Sequence, residues 1–225
     1  MTAATGLRDA PAGATGVQYV WNSWSDSGAI SHSISVPSTA ATYTASFSTQ
    51  YQLTTQASPS ADGSVTAPTS GGYYASGAVI PVVASANLGY QFNNWTTSNG
   101  GAFTSATSAS TNFTMPSAPA TVTANFVVNN VAVTLDTSPQ GLLVSVNGGT
   151  PQAAPLTVPL HVGSQQTIAT STPQGSNGTQ YTFLSWSDHG ALSHTITFPR
   201  SPCLRILLTA SARCIWGPSP LRTSR

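Results

Sequence analysis

The chain has 225 residues, a formal net charge of +1 and only 5% charged residues, against roughly 25% in an ordinary globular protein. So small and sparse a charge predicts no broad electrostatic surface for nucleic acid or for an anionic membrane. No apolar run approaches the roughly 18 residues of a membrane helix.

The first residues, MTAATGLRDAPAG, lack the basic segment and apolar core of a secretory signal. The chain is nevertheless rich in Thr, Ser, Gly and Asn and contains no lysine, a composition typical of surface or secreted modules. We therefore expect an extracellular or cell-surface location, and we interpret the chain as a piece of a longer protein.

One stretch of the chain occurs twice, 162 residues apart. Residues 19–37 read YVWNSWSDSGAISHSISVP and residues 181–199 read YTFLSWSDHGALSHTITFP, with eleven of nineteen positions identical. A looser third copy keeps the same spacing at Tyr90 and Trp95. Self-similarity at a fixed period predicts an array of small units.

The repeat divides the chain into four segments. Residues 1–50 match only the second half of a unit and are named the N-terminal half-repeat. Residues 51–129 form the central repeat, residues 130–199 form the C-terminal repeat with an altered last strand, and residues 200–225 form an aberrant tail. A unit of about 75 residues buries a modest fraction of its surface, so we expect neighbours to support one another.

The predicted fold class is all-β, a tandem array of small antiparallel β-sheet repeat domains. Short runs rich in β-branched and aromatic residues alternate with Gly, Pro, Asn and Ser, and no window sustains a helical period. The Asn147-Gly148 pair predicts a tight hairpin turn. The predicted strands are 51–57, 63–67, 79–86, 90–96, 111–115, 120–127, 131–137, 143–147, 156–160, 166–171, 181–187 and 193–198.

The tail breaks the pattern of the repeats. It holds five of the six basic residues and both cysteines, Cys203 and Cys214. By the repeat offset, Arg205 stands where the first copy has Tyr43. We interpret this change as a reading-frame error or a truncated gene, with an authentic divergent tail as the alternative. We predict a poorly ordered tail, of which residues 205–209 are available to fill an open sheet edge.

Each copy of the long repeat carries an aspartate, a serine and a histidine: Asp26, Ser31 and His32, and again Asp188, Ser193 and His194. A catalytic triad needs a base oriented by a buried acid and a nucleophile beside an oxyanion hole. No glycine-flanked nucleophile turn accompanies these residues. We interpret the aspartates as turn residues, within the pairs Asp26–Gly28 and Asp188–Gly190, and we predict that the chain is not an enzyme.

Metal and cofactor sites are not expected either. One carboxylate and one imidazole per unit fall short of the four ligands of a zinc site and of the six to eight oxygens of a calcium site. No two acids lie close together within one unit, which argues against glycoside hydrolysis. We therefore predict no metal and no cofactor.

Three tryptophans each follow a tyrosine by five residues, in the pairs Tyr19–Trp24, Tyr90–Trp95 and Tyr181–Trp186. Exposed aromatic faces would serve as a sugar-stacking platform. Buried, each aromatic would remove on the order of 150–250 Å² from water, worth roughly 4–6 kcal/mol gross at about 25 cal/mol/Å². We interpret these six residues as the repeated structural core.

Three motifs of the central repeat carry a family resemblance: GAVIPVVAS at 77–85, Gly-Tyr-x-Phe-x-x-Trp at 89–95 and TNFTMPSAPATVTANF at 111–126. With them the chain resembles the divergent internalin-type B-repeat family. Residues 137–168 also resemble the PEGA type of surface-associated β module, although Val146-Asn147-Gly148 stands where that family typically has Val-Asp-Gly. Both resemblances imply small non-catalytic β domains of secreted or cell-envelope proteins.

Two functions stay open at this point. The first is a structural or adhesive spacer array in a secreted or cell-surface bacterial protein, with neighbouring repeats and cell-surface glycans or proteins as partners. The alternative is a carbohydrate-binding accessory region of a secreted hydrolase. Tryptophans sealed in each core favour the first function, and an exposed coplanar aromatic pair favours the second.

Overall fold

The computed structural model describes residues 15–175, 178–197 and 204–214. Within these ranges the chain is made of strands and turns without helices, which confirms the predicted all-β class. No helix in the described ranges is long and apolar enough to cross a bilayer. The chain forms two compact units, Met1–Val127 and Val128–Arg225, and each is described by itself.

The first unit contains a large sheet built on one long strand. Strand β2 (Ala45–Ser58) pairs antiparallel with β1 (Val17–Trp24) through its first half and parallel with β9 (Ala120–Val128) through its second half. Strand β4 (Gly72–Ala75) pairs with the middle of β2, and β6 (Tyr90–Thr97) lies beside β9. This sheet joins the N-terminal half-repeat to the central repeat.

A smaller sheet completes the central repeat. It contains β3 (Gly63–Ala67), β5 (Val79–Ala86), β8 (Ser110–Thr114) and β7 (Ala102–Phe103), in that order. Both sheets contribute to one apolar core, in which alternate residues of each strand point inward. Its large buried side chains include Leu53, Trp95, Val122 and Phe126 from the large sheet and Ile80, Val82 and Phe113 from the small one.

The second unit also has a large sheet of four strands. These are β13 (Leu156–His161), β10 (Asn130–Ser138), β17 (Leu204–Cys214) and β15 (Thr179–Trp186), in that order. The pairing of β10 with β17 is parallel, and the other two pairings are antiparallel.

A small sheet again accompanies the large one. It contains β12 (Gln152–Ala153), β11 (Leu143–Val146), β14 (Gln165–Thr170) and β16 (Ser193–Thr197), in that order. The core side chains come from both sheets, and the fully buried ones include Leu135, Val144, Ile168 and Trp186.

The central and C-terminal repeats share one topology. The order β4-β2-β9-β6 in the first corresponds to β13-β10-β17-β15 in the second, and β3-β5-β8 corresponds to β11-β14-β16. The repetition seen in the sequence is therefore a repetition of topology. Each repeat contains one parallel pair, formed by its first and last strands, within sheets that are otherwise antiparallel.

All twelve predicted strands have a counterpart in the structure. The Asn147-Gly148 turn is confirmed, because both residues have positive φ and Gly149 N–H donates to the Val146 carbonyl at 3.0 Å. Five strands of the described chain lie outside the twelve predicted ones: β1, β17 and the short strands β4, β7 and β12. The last three were missed because of their length. They have four residues or fewer, too few to show an alternating pattern.

The structure of the tail differs from the expectation. Strand β17 is an inner strand that pairs with β10 on one side and with β15 on the other, whereas we expected a poorly ordered tail with a short segment at a sheet edge. Strands β10 and β15 offer unpaired backbone groups on both sides of this position, and β-compatible residues satisfy them. Residues 200–203 and 215–225 of the predicted tail lie outside the described residues.

The register of β17 also departs from the repeat. Phe183 of β15 pairs with Ala210, and the equivalent Trp21 of β1 pairs with Phe47. The first offset is 183 − 21 = 162, but the second is 210 − 47 = 163. The tail strand is therefore one residue out of phase with the repeat that it completes.

We predict that ending the chain after residue 203 will open the second unit. Without β17, amide exchange in β10 and β15 should accelerate by more than about tenfold, or about 1.4 kcal/mol, because β10 becomes an edge strand and β15, already at the edge, loses the strand beside it. Hydrogen exchange with mass spectrometry measures this change, with β5 and β8 of the first unit as internal references. Ending the chain after Cys214 is the matched control and should change neither strand. Unchanged exchange after the shorter truncation would show that β17 is not integral to the sheet.

Candidate functional site

The repeated Tyr–Trp pairs differ in burial. Trp95 and Trp186 lie in the cores of their repeats and are 2% and 1% exposed. Trp24 is only half-buried, although its neighbours in sequence match those of Trp186. Among the tyrosines, Tyr90 and Tyr181 are half-buried, and Tyr19 is 38% exposed. The small sheet that covers the other two tryptophans has no counterpart among the described residues of the half-repeat.

Each indole N–H donates to a main-chain carbonyl in the segment that follows its strand. The pairs are Trp24–Ile30 at 3.3 Å, Trp95–Ser108 at 3.0 Å and Trp186–Leu192 at 3.4 Å. A buried indole usually finds such a partner. The sequence did not predict this bond, which ties a loop to the strand before it in all three copies.

An aspartate and a histidine close the turn after β1. Asp26 Oδ1 accepts from Gly28 N–H at 3.1 Å, and Asp26 Oδ2 lies 2.8 Å from His32 Nε2. His32 Nδ1 lies 2.8 Å from the carbonyl oxygen of Ala29. Both ring nitrogens therefore face oxygen acceptors, and both bonds form together only when the ring is a doubly protonated imidazolium. We name this arrangement the Asp–His clasp.

The clasp occurs a second time with the same geometry. Asp188 Oδ1 accepts from Gly190 N–H at 3.1 Å, and Asp188 Oδ2 and the Ala191 carbonyl oxygen each lie 2.8 Å from a ring nitrogen of His194. The residue after the aspartate differs between the copies, but it has the same φ of 63° in both. The turn conformation is thus independent of that side chain.

The glycine of each clasp is required by close approach of the histidine ring. A Cβ atom on Gly28 would overlap the ring of His32, and a Cβ on Gly190 would overlap that of His194. Neither glycine has a positive φ. On another side each ring contacts the repeat tryptophan, at 6.1 Å between ring centroids in both copies. The histidine therefore lies packed between the turn and the tryptophan.

The geometry does not assemble a nucleophilic site from Ser31 or Ser193. The carboxylate and the alanine carbonyl occupy both ring nitrogens of the histidine, so neither nitrogen is left to accept a proton from a serine hydroxyl. In the described part of the chain we also find no group of three or more His, Cys, Asp or Glu side chains that could hold a metal ion.

The clasp shifts the pKa values of Asp26, His32 and Asp188. The hydrogen bond to Asp26, followed by that to the Ala29 carbonyl, raises the pKa of His32 above its ordinary value. The hydrogen bond from His32, followed by that from Gly28 N–H, lowers the pKa of Asp26. Burial alone would raise the pKa of Asp188, but the bonds from His194 and Gly190 outweigh it and the net shift is downward.

Comparison with known families bears on the central repeat. Residues 53–130 match the family model of the divergent InlB B-repeat domain. The central repeat is thus recognised as a B-repeat. The match runs from the second half of β2 to the first residue of β10, which is one topological repeat. The PEGA-like resemblance of residues 137–168 finds no such support. No curated protein and no solved structure matches the chain.

The sequence predicted that Asp26 and Asp188 bond to backbone N–H groups of their turns, and Gly28 and Gly190 provide those groups. The bond from each aspartate to the histidine six residues later was not predicted. The available signal was the identical six-residue spacing of Asp and His in both copies.

We predict that Trp186→Ala will cost about 3–5 kcal/mol of stability in the second unit, because it empties a sealed core site. The matched variant Trp24→Ala should cost less than about 2 kcal/mol, because Trp24 is already half in solvent. Amide exchange in β14 and β15, and in β1 for the matched variant, reports the two costs. Equal costs would contradict the unequal covering of the two indoles.

We also predict that Asp26→Asn will lower the pKa of His32, measured by NMR titration of the ring protons, because the main bond raising that pKa is lost. Asp62→Asn is the control and should leave the His32 titration unchanged. In the parent chain the stabilisation of the folded state by His32 is fully present below the ordinary pKa of histidine. It is lost as pH rises through the raised pKa of His32. The stabilisation of the folded state by Asp26 is fully present above the ordinary pKa of aspartate. It is lost as pH falls through the lowered pKa of Asp26. An unchanged His32 titration in Asp26→Asn would disprove the clasp.

Proposed function

We propose that the chain is a non-catalytic, load-bearing repeat region of a secreted or cell-surface bacterial protein. The B-repeat match at residues 53–130 supports this role for the central repeat, and the shared strand order extends it to the C-terminal repeat. The His and Asp side chains of the two clasps bond to each other and contribute to their turns, which supports a structural role for these residues.

The parallel pairing of the first and last strands carries the proposal. In the central repeat residues 53–58 run beside residues 120–125, and in the C-terminal repeat residues 133–138 run beside 204–209. In a parallel pair the start of the first strand and the end of the last lie at opposite ends of the ladder. Tension through the flanking chain therefore loads six residue pairs in shear at once, instead of opening them one at a time.

As partners we propose neighbouring repeats together with cell-surface glycans or proteins, which adds an adhesive role to the spacer role. The surface is rich in Ser, Thr, Gly and Asn and poor in charge. Such a surface offers hydrogen bonds to neutral partners without attracting polyanions.

The carbohydrate-binding alternative has less support. A stacking platform requires exposed aromatic faces, whereas Trp95 and Trp186 are sealed in their cores. Both indole N–H groups are bonded to the main chain. Affinity electrophoresis in gels of soluble polysaccharides tests this alternative. We expect no retardation, and a retardation that Trp24→Ala removes would favour it over the spacer.

The load-bearing role predicts a force that depends on the direction of pulling. Handles are attached through cysteines introduced at Gln50 and Val128, in a chain whose Cys203 and Cys214 are replaced by serine. This pair loads the β2–β9 ladder in shear. In the matched geometry, handles at Gln50 and Ser117 lie at the same end of the ladder and unzip it. Single-molecule pulling should give an unfolding force several times higher in shear. Equal forces would refute the load-bearing role.

A further inference from the structure

Two nearly identical segments of the chain have different structures. Residues 193–197, Ser-His-Thr-Ile-Thr, form β16 because they pair with β14 from Gln165↔Thr197 to Ala169↔Ser193. The equivalent residues 31–35, Ser-His-Ser-Ile-Ser, form no strand. Both segments end the same Asp–His clasp, so the local sequence and the turn do not explain the difference. What differs is the partner strand, which residues 31–35 lack within the described chain.

A second open edge lies on β2. Gln50 and Tyr51 pair with both β1 and β4, so these two strands lie on opposite edges of β2. On the edge away from β1, residues 45–49 pair with no other strand in the part of the chain that the structure describes. Phe126 of β9 and Ala210 of β17 occupy the position of Phe47, so the residues that pair with a first strand, 120–125 and 204–209, correspond to residues 41–46 of the half-repeat. Of these, residues 45 and 46 lie on the open edge of β2, and residues 41–44 form no strand.

The face between the two open edges is apolar and incompletely covered. Three side chains are more exposed than their counterparts in the other repeats: Ile34 (38%) against half-buried Ile196, Phe47 (41%) against Phe126 (4%), and half-buried Trp24 against Trp186 (1%). The indole N–H of Trp21 is also buried there without an acceptor among the described residues. Buried polar groups are hydrogen-bonded in the large majority of native structures, so this one calls for an explanation.

We propose that this surface is an acceptor for the first half of another repeat of the same kind, supplied by the adjacent repeat of an array. Its first strand adds in parallel to residues 41–46, as β10 adds to residues 204–209 of β17. Its β14-type strand adds antiparallel to residues 31–35, as Ile168 of β14 lies opposite His194 of β16. Its apolar face covers Ile34, Phe47 and Trp24.

The occupant follows from the coincidence of three features in one place. A parallel edge, an antiparallel edge and an apolar face occur together, and the same combination is filled by one half-repeat in the central repeat and again in the C-terminal repeat. A single added strand would satisfy one edge and leave the face open. Strand addition supplies affinity through the backbone, and the alternating side chains supply specificity. The inference rests on the proposed repeat role, but it does not depend on load bearing.

The test adds a copy of a first half-repeat to the whole chain. A copy of residues 129–177 is inserted between Thr15 and Gly16, which keeps the offset of 162 because Gly178 corresponds to Gly16. Amide exchange at residues 31–35 and 41–46 should slow by at least about tenfold, and acrylamide quenching of Trp24 fluorescence should fall. The same insertion with Ile168→Asp in the added copy is the matched control and should give less protection. Residues 193–197 report whether the C-terminal repeat remains native.

A second insertion uses a copy of residues 50–86, the first half of the central repeat, at the same position. If neither insertion slows exchange at residues 31–35, the proposal is overturned, whether the added copy fails to fold or folds without docking. It is also overturned if the parent chain protects these residues in a concentration-dependent way, because a second copy of the chain would then be the occupant. Failure here leaves the force measurement on β2 and β9 unaffected, so the two proposals are separable.

Discussion

The parallel ladder between the first and last strands is the interaction on which each repeat depends. It joins the two ends of a segment of about 75 residues and completes the large sheet, against which the small sheet buries its apolar side chains. The described residues of the half-repeat contain no such ladder, and there Phe47 is 41% exposed, although the corresponding Phe126 is 4% exposed in the central repeat. Burial of this core position therefore accompanies closure of the large sheet by the parallel ladder.

The Asp–His clasp is independent of that closure. It has the same three distances in the half-repeat, where the small sheet has no described counterpart, and in the C-terminal repeat, where β16 follows the turn. All of its bonds join residues within six positions of one another, so the loop entropy that must be overcome is small. The clasp and the tryptophan bond prepare the chain locally for a strand that forms only when a partner is present.

Much of the fold was predictable, because alternation and turn residues are local signals. Twelve strands of the two fuller repeats, the Asn147-Gly148 hairpin and the all-β class followed from them. The parallel pairing of β2 with β9 and the inner position of β17 did not follow. These depend on contacts between residues far apart in the chain, which no short window records. Of the candidate site, the turn role of Asp26 was predicted, but its bond to His32 was not.

The sequence by itself determined the repeat, its alternating β-compatible segments and the turn of its clasp, because each is specified by residues close together in the chain. The tertiary structure decided which of these segments become paired and buried. Residues 31–35 and 193–197 show the difference, since nearly the same five residues form a strand only beside β14. A strand gains its hydrogen bonds and its covering from another part of the chain, so its formation is a property of the assembled sheet.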